Sequence, residues 1–256
     1  MDLSEKTLES FVRDLREFFG DRLVSVVLYG SIVFNDLAPG YGDLDFLAVV
    51  DDDLSDEDRR GLVELRKPLR SAESSIYAKM LEGAFLPRKM LDPTVKGKAF
   101  WWGTSGERLH ETNQLGPLVL HVIRERGLVI WGEDIRPEIP PPSRDEMVSE
   151  VRDFVEGMKS HGHGGGLHSI DWLLTAARLL LWLREGRLSS KTEAAEWGRL
   201  NAKGAWRECL PMAAEIRLNP ALADSPETKA WLESLTGPIQ EARAELEGEL
   251  AAHGPD

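Results

Sequence analysis

Apolar positions follow mixed rhythms along the first half of the chain and a single rhythm along the second. Leu8, Phe11, Val12, Leu15 and Phe18 recur at helical spacing, so a helix is expected from Leu3 to Phe19, with Gly20 placed to end it. Leu23–Tyr29 and Asp43–Val50 are short, mostly apolar runs, the pattern of buried strands. Between them, Gly30-Ser31 begins a helix or turn, and Leu37–Gly42 reads as a turn-rich connection. The spacing then predicts a helix from Ser55 to Leu69, with Leu62, Leu65 and Leu69 on one side. A third strand is expected from Ile76 to Leu86, ended by Pro87. A helix over Leu115–Arg126 and a short final strand over Gly127–Gly132 complete this half.

Pro137-Glu-Ile-Pro-Pro-Pro142 breaks the pattern, because proline-rich segments are stiff and continue neither helix nor central strand. Ser143-Arg-Asp-Glu146 is a capping-box sequence and opens a helix. From there every pattern is helical. Ser169–Arg184 is a strongly apolar helix, Ser190-Lys-Thr-Glu193 caps another, and the charged stretch Glu241–Glu249 is expected to be helical and lightly packed. The chain therefore divides into a strand-and-helix part, residues 1–140, and an all-helical part, residues 143–256.

Length and charge narrow the picture. A chain of 256 residues, 42% hydrophobic, can bury a sizeable core and suits two domains better than one. A formal net charge of −13 argues against non-specific coating of nucleic acid, which rests on Lys and Arg neutralising phosphates, but it leaves room for a small basic pocket. The single cysteine, Cys209, allows no intrachain disulfide and fits a reducing compartment. The N-terminus is acidic rather than basic-then-apolar, so no secretory leader is expected. Leu179–Leu183 is far shorter than the roughly 20 residues that span a bilayer. A soluble, cytoplasmic, monomeric protein is expected.

Candidate chemistry gathers at strand ends. Residues i and i+2 of a strand face the same way, so Asp43 and Asp45 should project side by side from an apolar sheet. Paired carboxylates beside a core invite a cation, and hard oxygen donors favour Mg²⁺ or Mn²⁺. Glu82 interrupts an apolar strand face shared with Met80, Ala84 and Leu86, so it is either paired or working. Gly30 allows close backbone approach, and the Ser31 hydroxyl could hold a phosphate; alone, the pair reads equally as an ordinary capped turn. Asp51–Asp58 reads as a solvated acidic loop. Phe100-Trp-Trp102 is either core packing or a stacking wall for a ring-shaped ligand. His161-Gly-His-Gly-Gly-Gly-Leu-His168 reads as a mobile loop facing an interdomain cleft, with a metal site the lesser reading. Arg178, in the middle of an apolar helix, needs an anionic partner. Lys191 falls in a first helical turn, where the helix dipole disfavours a cation unless it and free N–H groups jointly meet a phosphate.

A strand, Gly-Ser, a dozen or so residues, Asp-x-Asp on a strand and a carboxylate on a later strand together resemble the nucleotidyltransferase superfamily. Leu28-Tyr-Gly-Ser31, Gly42-Asp-Leu-Asp45, Leu81-Glu82, Leu174-Thr-Ala-Ala-Arg178 and Lys191–Trp197 are similar to the aminoglycoside adenylyltransferases that modify streptomycin and spectinomycin. Residues 87–165 match weakly. The resemblance implies an α/β (α+β) nucleotidyltransferase domain with a small mixed sheet over residues 1–140, followed by an all-α domain over residues 143–256.

It also implies an ATP-dependent enzyme of antibiotic resistance that moves AMP to a small-molecule hydroxyl. Asp43 and Asp45 would hold Mg²⁺, with Glu82 as general base close to the metal. Gly30 and Ser31 would touch the β- and γ-phosphates, and Arg178 and Lys191 would reach the nucleotide phosphates from the helical domain. The chain departs from the streptomycin-modifying relatives where acids before the Leu-Thr-x-x-Arg helix are replaced by the glycine-histidine loop. Streptomycin as acceptor is thereby placed in doubt. Spectinomycin or another hydroxyl compound stays open, and the net acidity favours a cationic acceptor. The alternatives are transfer to a protein or RNA hydroxyl, as in toxin–antitoxin nucleotidyltransferases, and a non-catalytic nucleotide-binding module.

Overall fold

The computed structural model describes residues 3–252. Residues 1–2, which the N-terminal expectations include, and residues 253–256 lie outside it. The chain forms two compact units: residues 1–33 with 42–142, and residues 34–41 with 143–256.

The first unit is built on six strands, β1 Leu23–Tyr29, β2 Leu44–Val50, β3 Leu81–Pro87, β4 Ala99–Gly103, β5 Gly106–His110 and β6 Leu128–Gly132. Their order is β5-β4-β3-β2-β1-β6. Only β2 and β3 run parallel; the other neighbours are antiparallel. The parallel pair needs a crossover, supplied by helix α2, Asp56–Leu69, and a single turn of helix α3, Ile76–Lys79. Helix α1, Leu3–Phe19, packs on β1, and helix α4, Pro117–Arg126, lies against the same strand. On one sheet face Phe11, Phe46, Phe85 and Trp102 meet mostly edge to face, with centroids 4.8 to 6.0 Å apart. Such pairs add about 0.5–1.5 kcal/mol each beyond their burial. The other face packs Val27, Leu47, Val49, Ala84 and Leu86 against Leu120 and Ile123 of α4.

Several expectations change here. Ile76–Lys79 is helical rather than strand, because the Ser75 side chain caps it by accepting from Ala78 N. Asp43 stands just before β2 rather than within it. The β5 strand, polar and largely exposed, carries no apolar rhythm to announce it. Phe100 and Trp102 are buried, which makes them core rather than a ligand wall. The acidic run is solvated only in part: Asp58 is buried, completes a capping box with Ser55, and accepts Arg22 at 2.9 and 3.0 Å.

The second unit holds α5 Arg144–His161, α6 Ser169–Glu185, α7 Lys191–Asn201, α8 Leu210–Leu218, α9 Pro226–Glu233 and α10 Thr236–Ala252. The capping box at Ser143 and Glu146 starts α5 as the sequence predicts. Helix α6 is the axis of this unit, with Leu173, Leu174, Ala176, Ala177, Leu180 and Leu181 fully buried. Helix α10 is firmly packed rather than loose. Ile239, Ala242 and Leu246 are fully buried, it packs on α5 and α6, and Glu245 binds Arg184 and the Trp206 indole at 2.9 Å each.

The glycine-histidine loop is pinned rather than mobile. Gly164 N donates to Thr236 Oγ1, Gly165 N to Leu232 O, and Gln240 Nε2 to Gly162 O. No described helix is long and apolar enough to cross a membrane.

Candidate active site

The site in the first unit follows from strand register. Asp45 and Glu82 are direct partners across the parallel β2–β3 pair, and Asp45 is also opposite Tyr29 on β1. In-register neighbours present side chains to the same face, so Tyr29, Asp45 and Glu82 form a row at one end of the sheet. Asp43 precedes Asp45 by two residues at the strand entrance. The Tyr29 hydroxyl is held well above its ordinary pKa, first by complete burial and then by the charges of Asp45, Glu82 and Asp43. The three carboxylates therefore act on one buried point, and Tyr29 stays protonated, able to donate.

Gly30 is required by that row. Its φ is +71°, and a Cβ there would lie 1.9 Å from Asp45 Oδ2. The close approach expected at this glycine is thus first of all to the Asp45 carboxylate. The next residue, Ser31, is the second of a 3-10 turn, Gly30–Phe34, and its buried hydroxyl makes no hydrogen bond. A buried polar atom without a partner carries a cost of about 1–3 kcal/mol, which a ligand oxygen would relieve. Glu82 Oε1 accepts from Arg70 Nη2 at 3.3 Å, so the carboxylate is paired as well as placed.

Among the described residues no group of three or more His, Cys, Asp or Glu side chains is placed to hold a metal ion. That covers the glycine-histidine loop and the Asp43, Asp45 and Glu82 set alike. Mg²⁺ usually binds through one or two carboxylates together with substrate phosphates and waters rather than in an all-protein cage. Asp43 and Asp45, hard donors with nucleotide phosphates to complete the shell, suit that mode.

Arg178 and Lys191 belong to the second unit. Arg178, half-buried on α6, donates from Nε to Ser189 O at 3.0 Å, and its guanidinium lies 6.0 Å from the Phe34 ring centre. Lys191 is the first residue of α7 and donates to Asp171 Oδ1 at 2.5 Å. The other oxygen of Asp171 takes the Tyr41 hydroxyl at 2.8 Å and lies 3.3 Å from His168 Nδ1. Burial works to raise the Asp171 carboxyl, but the charge and bond of Lys191, with Tyr41 and His168, outweigh it and hold it below its usual range. Burial first, and then Asp171, push the Tyr41 hydroxyl far up, so it remains a donor.

Two of the N–H groups that the sequence suggests are free at the start of α7 are already taken. Thr192 N donates to Asp36 Oδ2 at 3.2 Å, and Glu193 N to Ser190 Oγ at 3.0 Å. Asp36 also takes the Thr192 hydroxyl at 2.6 Å and pairs with buried Arg217 at 3.1 Å. Asp36, Tyr41, Arg70 and Arg217 are the polar residues that sequence reasoning passed over. Arg217 had a signal, a cation on the apolar side of α8 beside Ala213 and Ile216, of the kind that singled out Arg178. Asp36 and Tyr41 lie in a turn with no periodicity to mark them.

Residues 140–246 match the model of the aminoglycoside adenylyltransferase C-terminal domain. The chain is similar to the aminoglycoside adenylyltransferases. Among solved structures, spectinomycin adenyltransferase AAD(9) from Enterococcus faecialis, solved with ATP and spectinomycin, matches with a TM-score of 0.74 at 19% identity. That match covers 95% of this chain and 99% of that one. No curated protein matches the sequence. The structural likeness supports the fold class: a mixed-sheet domain followed by a helical one.

Proposed function

We propose that this chain is an ATP-dependent adenylyltransferase that moves AMP to a hydroxyl of an aminoglycoside-type antibiotic, with spectinomycin the first acceptor to test. The observation that carries the chemistry is the registered row of Tyr29, Asp45 and Glu82, closed by Gly30 and the unpartnered Ser31 hydroxyl. The choice of acceptor rests on the likeness to AAD(9), whose structure holds ATP and spectinomycin.

In this reading Ser31 Oγ and the Gly30 backbone receive the β- and γ-phosphates. Arg178 and Lys191 are the phosphate cations of the helical unit. Asp43 and Asp45 hold Mg²⁺, which offsets the charge that builds on the phosphate oxygens. Glu82 accepts the proton of the acceptor hydroxyl. The hydroxyl oxygen attacks the α-phosphorus in line, the bond from that phosphorus to the bridging oxygen breaks, and pyrophosphate leaves. Arg70 engages Glu82 Oε1, which leaves Oε2 as the oxygen assigned to the proton. Tyr29, held protonated, supplies a hydroxyl donor beside the carboxylate row.

The test is direct. Protein, Mg²⁺ and ATP are mixed with spectinomycin, streptomycin and other aminoglycosides, and pyrophosphate release is followed together with the mass of each drug. An AMP adduct on spectinomycin supports the proposal. Absence of an adduct on every drug overturns the antibiotic reading, and labelled AMP entering protein or RNA in a lysate would replace the acceptor class.

A further inference from the structure

Lys191 stands where a cation is electrostatically poor, at the first residue of α7, against the positive end of the helix dipole. Something must offset that. Asp171 does so from α6, by a direct 2.5 Å bond from the ammonium. The carboxylate is itself fixed on its other oxygen by Tyr41, whose ring also lies 5.2 Å from that of His168. Lys191 and Asp171 are both largely shielded, with side chains 25% and 31% exposed, so the pair is screened less than a surface ion pair.

Lysine is a flexible point charge that loses side-chain entropy of about 2 kcal/mol when fixed, so an ammonium already held before its ligand arrives binds it at lower cost. Asp36 takes the Thr192 N–H in the first turn of α7, which leaves the Lys191 ammonium, rather than that N–H, as the group this helix start can offer to an anion.

We propose that Asp171 is a positioning residue for Lys191, holding the ammonium in the place where it meets the phosphates of the nucleotide, with Tyr41 as the anchor that keeps Asp171 oriented. The inference rests on the reading of Lys191 as a phosphate cation. It assigns Asp171 to the nucleotide rather than to the acceptor, although its negative charge would equally suit a cationic drug.

The experiment uses the full chain. ATP affinity is measured by calorimetry with Mg²⁺, and the acceptor KM by steady-state rates, for wild type, Asp171→Asn, Lys191→Met and the double variant. Asp171→Asn is expected to weaken ATP binding about tenfold, the scale of one hydrogen bond to a charged group, with the acceptor KM unchanged. The double variant should bind ATP no more weakly than Lys191→Met alone, because a residue that acts through Lys191 has nothing left to position. Additive losses, an unchanged or tighter ATP affinity in Asp171→Asn, or a raised acceptor KM at unchanged ATP affinity would each overturn it.

A second measurement does not depend on the nucleotide. Competitive acylation of lysines, read by mass spectrometry, should label Lys191 several-fold faster in Asp171→Asn than in wild type. Equal labelling would show that Asp171 does not hold the ammonium. Faster labelling in a protein that binds no ATP would sustain the contact and overturn both the nucleotide reading and the proposed role. If Asp171→Asn fails to fold, Asp171→Glu keeps the charge but moves it by one methylene. It should still weaken ATP binding, and wild-type affinity in that variant would count against the proposal.

Discussion

Two clusters of charge in this molecule are built on opposite principles. At the end of the sheet, carboxylates of one sign are gathered: Asp43, Asp45 and Glu82 all act on Tyr29. In the helical unit, charges of both signs are matched: Asp171 with Lys191, and Asp36 with Arg217. Like charges held close beside a core favour a cation: the Arg70 guanidinium already pairs with Glu82, and the Mg²⁺ of the proposed function would add a second. The helical clusters are already neutralised, and they hold shape. The difference separates a place where chemistry is proposed from a place that keeps one of its tools in position.

Substitutions at the two clusters should therefore fail in different ways. The largest effect is expected at Glu82→Ala, which should lower kcat about 10²–10⁴-fold while leaving ATP binding intact, the usual contribution of a general base. Asp45→Ala should lose transfer and also weaken Mg²⁺-dependent ATP binding. A calorimetric titration with and without Mg²⁺ distinguishes the two, and a normally active Glu82→Ala would remove the base. Next comes Arg217→Met, which strands buried Asp36 without its cation. Breaking a buried pair on one side costs about 3–5 kcal/mol, to be read as a lowered urea midpoint.

Gly30→Ala should follow, with at least ~1–2 kcal/mol of backbone strain at positive φ and displacement of the Asp45 carboxylate, seen as a fall in Tm together with a raised Mg²⁺ requirement. A smaller effect depends on pH. The folded Asp171 carboxyl sits below its usual value, so the folded state binds fewer protons than the unfolded one. Its contribution is complete above the unfolded pKa, about 3.9, and fades as pH falls through the lower folded value. The Tm values of wild type and Asp171→Asn should differ at neutral pH and converge below about pH 4. The least effect belongs to His168→Ala. Its side chain is 72% exposed, and stability should move by no more than ~0.5 kcal/mol; a larger loss would make His168 part of the helical cluster rather than its rim.

What the sequence revealed followed from how each residue is held. Asp43, Asp45 and Glu82 stood out because strands alternate: a carboxylate on an apolar face contradicts its surroundings and shows itself. The registry that makes Asp45 and Glu82 direct partners was not visible, because it depends on how β2 and β3 align across the α2 crossover. Ser75 turned four residues of an expected strand into helix, as a local cap can outweigh an apolar run. The tight packing of α10 was hidden by its many glutamates. Its buried residues Ile239, Ala242, Leu246 and Leu250 recur at helical spacing between them, and half-buried Glu245 is tied down by its bonds to Arg184 and Trp206. The pinned glycine-histidine loop was unreadable for a different reason: its anchors are backbone groups, which composition does not reveal.

The bond from Thr192 to Asp36, and the buried pair of Asp36 with Arg217, bear on how such a chain can be taken apart or recombined. The helical unit is completed by residues 34–41, which the chain delivers long before the proline segment. A fragment that begins at Ser143 would carry Arg217 without its counter-charge and the Thr192 N–H and hydroxyl without their acceptor. The visible linker is therefore not a clean seam. Grafting these helices onto another catalytic domain would succeed only if that domain brought its own loop with an acid in the place of Asp36, so the two parts are bound to change together rather than trade freely.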